Sequence, residues 1–330
     1  MRFFRLHFFV NYTSGRNGGC IYNMNTKKMF YISKENDAIL QQAEQGRLVD
    51  ENDLFLDELY RANMGRFYDT PVFIERTRLG VAKEYEEVAT PKIMIHQAYI
   101  QVTNECKGQC IFCNQSDKVY TKTRCKKWKN KATQINHDEW KKIFEDLKNL
   151  GCMKIIFIGG DPLLEFEKMR MHVKLAQQAG INRFEVYTNL NNISGQQIEF
   201  IIKNNIEVNV QVVGTNQNQR YTDVSFENVI QNIEVLLRKK AHLQASILIT
   251  KYSELNLEDM QLRLKEAGVQ VIKNDFYYEN NENQHFSKKM IKEMYTRTFV
   301  EVSRENFSFL EKYNSCLYGK VSINLSGDIT

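Results

Sequence analysis

The sequence predicts an α/β protein: an open, partial, TIM-like (β/α)6 barrel, with a small α+β module before it and a short hairpin segment after it. Three observations predict this. Six short apolar runs alternate with five helix-like stretches across the middle of the chain, as βα units around a parallel sheet do. Several of those stretches end in Gly or Asn, the residues that close helices. Near the start the order changes to strands first and helices second, the pattern of a separate α+β module. The predicted boundaries are 1–85 for the module, 86–298 for the barrel and 299–330 for the last segment.

Composition bounds the function. The chain has 330 residues, 42% hydrophobic and 26% charged, enough apolar side chain for a sizeable core. Only 3 prolines occur, which excludes long Pro-rich linkers. The formal net charge of +5 permits a polyanionic partner without requiring one. No stretch approaches ~18 uninterrupted apolar residues, so no membrane span is expected. Arg5 and His7 interrupt the first apolar run, unlike a signal peptide, and a cytoplasmic location is expected. In a cytosolic chain, clustered cysteines point to metal or catalysis before disulfides.

In the module, "LHFFVNYT", "CIYNM" and "MFYIS" read as strands separated by the turn-forming "SGRNGG" and "NTKK". "KENDAILQQAEQG" and "DENDLFLDELYRANMG" read as helices, the second opening on acidic residues and closing at Gly65. "TPVFIERT" reads as one more strand. In the barrel the predicted strands are "AYIQVT", "KIIFIGG", "FEVYTNL", "IEVNVQVVG", "QASILIT" and "VIKNDFYY". A helix candidate and a hairpin, "YNSCLYGKVSINLSGDIT", complete the chain.

In such folds function sits at the strand C-terminal ends. Three unusual loops fall there. "CKGQCIFC" follows the first barrel strand, "GGDP" closes the second, and Thr188-Asn189 closes the third. Cys106, Cys110 and Cys113 have the C-x3-C-x2-C spacing. Three thiolates so spaced can hold three irons of one [4Fe–4S] cluster and leave the fourth iron open. The alternative is zinc, completed by a nearby His or by Cys125.

"CKGQCIFC" resembles the signature of radical S-adenosylmethionine (radical SAM) enzymes, C-x3-C-x-φ-C, with Phe112 at the aromatic position. The resemblance implies a [4Fe–4S] cluster on Cys106, Cys110 and Cys113, with SAM on the open iron. It implies reductive cleavage of SAM to methionine and a 5′-deoxyadenosyl radical that abstracts hydrogen from a substrate. "IIFIGGDPLL" is similar to the family's G-G-E-P motif. Gly159 and Gly160 would admit the methionine end of SAM, Asp161 would accept from its amino group, and Pro162 would fix the turn. "VYTNL" resembles T-N-G, making Thr188 and Asn189 SAM contacts, with Leu190 in place of the usual Gly. Gln211 and Val213 stand where related peptide-modifying members carry Ser and Asp. Gln211 remains a candidate donor to the SAM carboxylate, whereas Val213 cannot act as an acid or base. No catalytic acid or base is identified.

The last segment resembles the start of a SPASM or twitch extension, which binds auxiliary Fe–S clusters. Cys316 and Gly327 fit its first two places, and the next Cys would fall two residues beyond Thr330. Cys316 is thus a candidate auxiliary ligand, an auxiliary cluster needs a longer form of the chain, and this one reads as shortened. A plain hairpin with a buried Cys is the alternative. The N-terminal module resembles the winged-helix-like, PqqD-like element that takes up the leader of a precursor peptide as an added strand; a structural cap is the other reading. The basic stretch Lys118–Lys131, with Tyr120 and Trp128, suits a solvated loop, an acidic peptide or RNA, in that order. Cys152 reads as a small buried hydrophobe.

These readings combine into a radical SAM maturase of a ribosomally made peptide, forming a thioether or carbon–carbon crosslink or an epimer. A flavodoxin or ferredoxin would supply electrons. The rivals are a radical SAM enzyme acting on RNA or a small molecule, and a non-catalytic metal- or peptide-binding protein with a zinc or degenerate cluster site.

Overall fold

The computed structural model describes residues 1–75, 94–110, 135–214, 222–249, 256–276 and 318–329. Residues 1–75 belong to one compact unit and the others to a second.

In the first unit, β1 (Phe3–Leu6) is followed by β2 (Val10–Gly15), β3 (Gly18–Asn23) and β4 (Lys28–Ile32). Helices α1 (Lys34–Glu44) and α2 (Leu54–Arg61) precede β5 (Gly65–Tyr68). The single strand expected over "LHFFVNYT" is split. Val10 N–H donates to the His7 carbonyl, and the turn this closes separates β1 from β2. β2, β3 and β4 form an antiparallel meander, while β1 pairs with β5. The strand expected over "TPVFIERT" is not found in residues 71–75; "GRFY" just before it is the strand. Ser33 and Asp53 cap the two helices by accepting from Asn36 and Leu56 N–H. Phe4, Leu6, Val10, Ile21, Leu40, Ala43, Leu56 and Leu59 form the core between sheets and helices. Asp37, buried on α1, accepts from the Tyr12 and Ser14 hydroxyls of β2 at 2.6 and 2.8 Å, which fixes the helix to the meander. Burial and the hydrogen bond to Asp37 push the Tyr12 phenol well above its usual range.

The second unit is built on one parallel sheet. Its strands are β6 (Gln97–Thr103), β7 (Lys154–Gly159), β8 (Arg183–Thr188), β9 (Glu207–Val212), β10 (Leu243–Ile249) and β11 (Ile272–Phe276). Each lies beside its predecessor in the same direction. Neighbouring parallel strands need crossovers, and right-handed crossovers in one sense put all the helices on one face. Those helices are α3 (His137–Asn149), α4 (Phe166–Gln178), α5 (Gly195–Lys203), α6 (Phe226–Arg238) and α7 (Leu257–Glu266). Capping boxes open α3 (Asn136 with Glu139) and α5 (Ser194 with Gln197). The hairpin segment contributes a seventh strand: β12 (Lys320–Ile323) pairs in parallel with the outer edge of β6. The partial-barrel fold class is therefore as expected, with one strand more. The helix candidate before β12 lies outside the described residues.

Side chains on a strand alternate between faces, so the sheet sorts its residues. Ala98, Ile100, Val102, Ile155, Phe157, Phe184, Val186, Val208, Val210, Ala245 and Ile247 meet the helices in the main core. His172 of α4 is fully buried there, packed among Trp140, Phe144 and Phe157. Burial, then the nearby Lys168, lowers its pKa to about 3, so it is a neutral core residue. The other face is mixed: Tyr99, Ile156, Ile158 and Tyr187 form a small apolar cluster, with polar groups toward both ends.

Candidate functional site

At the C-terminal ends of β6, β7 and β8 the chain brings three loops onto one another. The root of the cysteine loop, Thr103 to Glu105, lies against the end of β7. Gly160 N–H donates to the Thr103 carbonyl and Asp161 N–H to the Glu105 carbonyl, both at 2.8 Å. This close approach is why both positions are glycine. A Cβ on Gly159 would overlap the Thr103 carbonyl oxygen, and one on Gly160 the Glu105 carbonyl oxygen. Gly159 also has φ +137°, a conformation that side chains avoid. The glycines thus serve the seating of the cysteine loop. Gln101 fixes the same root from below: its amide donates to Asn104, and its carbonyl accepts from Leu325 N–H of the turn after β12.

In the loop itself, Cys106 and Cys110 flank the buried Gly108. A Cβ on Gly108 would stand 3.5 Å from each sulfur and 2.9 Å from Val224. Hydrogen-bonding groups face the sulfurs, two of them donors to Cys106. Gly108 N–H and the Asn189 amide each approach Cys106 Sγ at 3.4 Å, and Thr222 Oγ1 lies 3.1 Å from Cys110 Sγ. Donors around sulfur favour the thiolate that binds metal.

Asp161 is buried beside this loop. Thr188 Oγ1 donates to both its oxygens, at 2.9 and 3.1 Å, and Leu163 N–H donates at 3.1 Å as the first turn of a short 3-10 helix, Pro162–Glu165. Burial pushes its carboxyl up to about 6, against the hydrogen bonds from Thr188 and from Leu163 and Asn189 N–H. Among the described residues no cation pairs with it. A buried carboxylate held by neutral donors alone suits a cationic ligand.

Thr188 is thus engaged with Asp161, and Asn189 with Cys106. Leu190, where a Gly was the expected residue, has φ +53° and is fully buried in the core. Its N–H bonds Thr188 Oγ1 and its carbonyl accepts from Asn232, so the left-handed turn is held from both sides. Gln211 lies buried on the inner face of β9. Phe112, Cys113, Cys125, Cys316 and the Lys118–Lys131 stretch lie outside the described residues. Gly108 and Thr222 were not foreseen. The glycine inside the C-x3-C spacing was a readable signal; Thr222, 112 residues from Cys110, gave none.

The family model for the Radical SAM superfamily matches residues 100–267, just over half of the chain. The chain belongs to the radical SAM superfamily. The matched stretch runs from β6 into the end of α7, and so includes the cysteine loop, Gly159 to Asp161 and Thr222. A curated relative of this radical SAM chain is the PqqA peptide cyclase of Bradyrhizobium diazoefficiens, 26% identical over 91 residues. That stretch is 28% of this chain and 20% of the relative, so the chain matches about a fifth of that protein's length. Among solved structures, Streptococcus suis SuiB bound to precursor peptide SuiA has a TM-score of 0.54 at 14% identity, covering 100% of this chain and 82% of that one. SuiB bound to S-adenosylmethionine has a TM-score of 0.51 at 14% identity, with the same coverage. These two likenesses establish the fold. No helix among the described residues is long and apolar enough to cross a membrane.

Proposed function

We propose that this chain is a radical SAM enzyme that modifies a ribosomally made peptide. The observation that carries the proposal is the meeting, at one end of the sheet, of hydrogen-bonded cysteine sulfurs with a buried carboxylate that no cation pairs with among the described residues. Those residues fit the two groups the family implies. Cys106, Cys110 and Cys113 would hold a [4Fe–4S] cluster, with Phe112 at the aromatic position of the motif. Asp161 would take the SAM amino group, with Gly159, Gly160 and Pro162 shaping the turn around the methionine end. Bound there, the reduced cluster supplies the electron that cleaves SAM and yields a hydrogen-abstracting 5′-deoxyadenosyl radical. The protein's part is to place and exclude. Thr188 orients the Asp161 carboxylate, Asn189 directs its amide to Cys106, and Gln211 stands on the inner face as a further donor toward SAM.

Two findings support a peptide as the substrate. The relative matched over 91 residues is a peptide cyclase, and a structure of the same fold carries a precursor peptide. The first unit offers a place for a leader within residues 1–85. β4 is an outer strand of the meander, most of its residues are exposed, and Tyr31 on it is 78% exposed. An extended peptide can pair with such an edge. The bond made, whether thioether, carbon–carbon crosslink or epimer, follows from the peptide. A flavodoxin or ferredoxin is the electron donor of this reading, the cytoplasm its compartment, and Cys316 a candidate ligand of an auxiliary cluster.

Anaerobic reconstitution tests it. The chain should bind about four irons and release 5′-deoxyadenosine from SAM with dithionite. Zinc binding without iron, and no 5′-deoxyadenosine, would refute it. Mobility shifts with an acidic leader peptide and with tRNA separate the peptide reading from the RNA one.

A further inference from the structure

Thr222 follows β9 in the chain, and its side chain reaches back to the cysteine loop. It is buried, and Val224 N–H donates to its Oγ1 at 3.1 Å. The hydroxyl has one proton and two acceptors within reach. Gly108 O lies at 3.0 Å and Cys110 Sγ at 3.1 Å. While Cys110 is a thiol, its sulfur can donate to Thr222 Oγ1, and the hydroxyl proton then goes to the Gly108 carbonyl at 3.0 Å, where it is a closer donor than the thiol at 3.7 Å.

Iron binding changes this count. A cysteine sulfur bound to iron has no proton and can only accept. With the hydroxyl proton still on Gly108 O, an oxygen lone pair would face an anionic sulfur at 3.1 Å. Turning the hydroxyl about its C–O bond replaces that repulsion with a charge-assisted hydrogen bond, without moving a heavy atom. The rotation leaves no acceptor bare. Gly108 O already accepts from Asp223 N–H at 2.7 Å and keeps that bond.

We propose that Thr222 is a positioning residue for the cluster: its hydroxyl turns from the Gly108 carbonyl to the Cys110 sulfur when that sulfur binds iron, and raises the cluster's reduction potential. The potential rises because one-electron reduction adds negative charge to the cluster, and a donor on sulfur stabilises the more negative state. The proposal rests on the reading of Cys110 as a cluster ligand. It adds a second role for the segment that carries Val224, which packs so closely on Gly108 that a Cβ there would force Val224 to shift.

The test is an anaerobic redox titration of the reconstituted full chain, monitored by the electron paramagnetic resonance signal of the reduced cluster. Wild type is compared with Thr222→Ser, Thr222→Val and Thr222→Ala, each with its iron content measured. Thr222→Ser keeps the hydroxyl and should titrate with wild type. Thr222→Val and Thr222→Ala should hold full clusters with a more negative potential. At a fixed applied potential their ratio of reduced to oxidised cluster should fall about tenfold, a shift of about 59 mV for one electron. Fully loaded variants at the wild-type potential would overturn the proposal. So would loss of the cluster from both Val and Ala variants, which would make the hydroxyl a brace for the loop. A wild-type chain that loads no [4Fe–4S] cluster would refute the cluster reading itself, and the proposal with it.

Discussion

The two ends of the seven-stranded sheet are both polar, and they differ in how their charges are matched. At the strand N-terminal end, Lys154 of β7 reaches Glu185 of β8 at 2.8 Å and Glu207 of β9 at 2.6 Å. Asn209 and Gln244 amides donate to Glu185 at 3.2 Å, and Ser246 donates to Asn209. Burial lowers the Lys154 pKa, but the bonds to Glu185 and Glu207 outweigh it and the net shift is upward. At the C-terminal end, Asp161 is equally buried and among the described residues has only neutral donors; burial raises its pKa to about 6 against their opposing effect. The lesson is that polarity does not mark a functional end. A network that satisfies itself holds strands together; a buried charge without its counter-charge points to a ligand.

The largest expected effect comes from the backbone that joins the loops. Gly159→Ala places a methyl on the Thr103 carbonyl in a left-handed conformation. It should cost more than about 4 kcal/mol, read as a collapse of the denaturant midpoint. A loss under about 1 kcal/mol would mean the cysteine loop is not seated as described. Next is the matched end. Lys154→Met strands the buried Glu185 and should cost about 3 kcal/mol in urea melts. Unchanged stability would show that the N-terminal network is idle. Leu190→Gly should cost about 2 kcal/mol, since lost packing of about 3 outweighs about 1 of relieved backbone strain. A stabilised variant would put the strain first.

The smallest change is expected from removing charge at the unmatched end. Above pH 6, Asp161→Asn should leave the cofactor-free chain as stable as wild type, or up to about 2 kcal/mol more stable. The sign follows from the raised pKa. The folded chain keeps the Asp161 proton up to about pH 6, whereas an unfolded aspartate releases it near pH 4. Wild type therefore gains stability relative to the variant as pH falls from about 6 toward 4, and loses it as pH rises again. Parallel urea melts of the two chains across that range check this. A variant destabilised at neutral pH would make Asp161 a structural residue like Glu185.

Much of the fold was legible because its signals are local. The six barrel strands and their helices follow from apolar runs that alternate with helix-like stretches closed by Gly or Asn. Gly159-Gly160-Asp161 was legible as a strand-end motif. The pairing of β12 with β6 was not, because the partners are over 200 residues apart and edge pairing leaves little trace in composition. Lys154, Glu185 and Glu207 were missed for a related reason. A charge in a strand normally faces solvent, and only the register of β7, β8 and β9 sets these three side by side on one face. The bond from the Thr188 hydroxyl to Asp161 was not legible either, because it joins two strand ends 27 residues apart. Thr222 and Gly108 meet across more than 100 residues, a contact no local pattern encodes.

The central claim is that the unmatched carboxylate is the cofactor's anchor and the matched network is not. Equilibrium binding of SAM to the reconstituted chain tests it most directly, with Asp161→Asn and Lys154→Met measured beside wild type. The account predicts at least about a tenfold loss of affinity in Asp161→Asn, the worth of one charge-assisted bond, and wild-type affinity in folded Lys154→Met. Equal affinity in Asp161→Asn and wild type would contradict it.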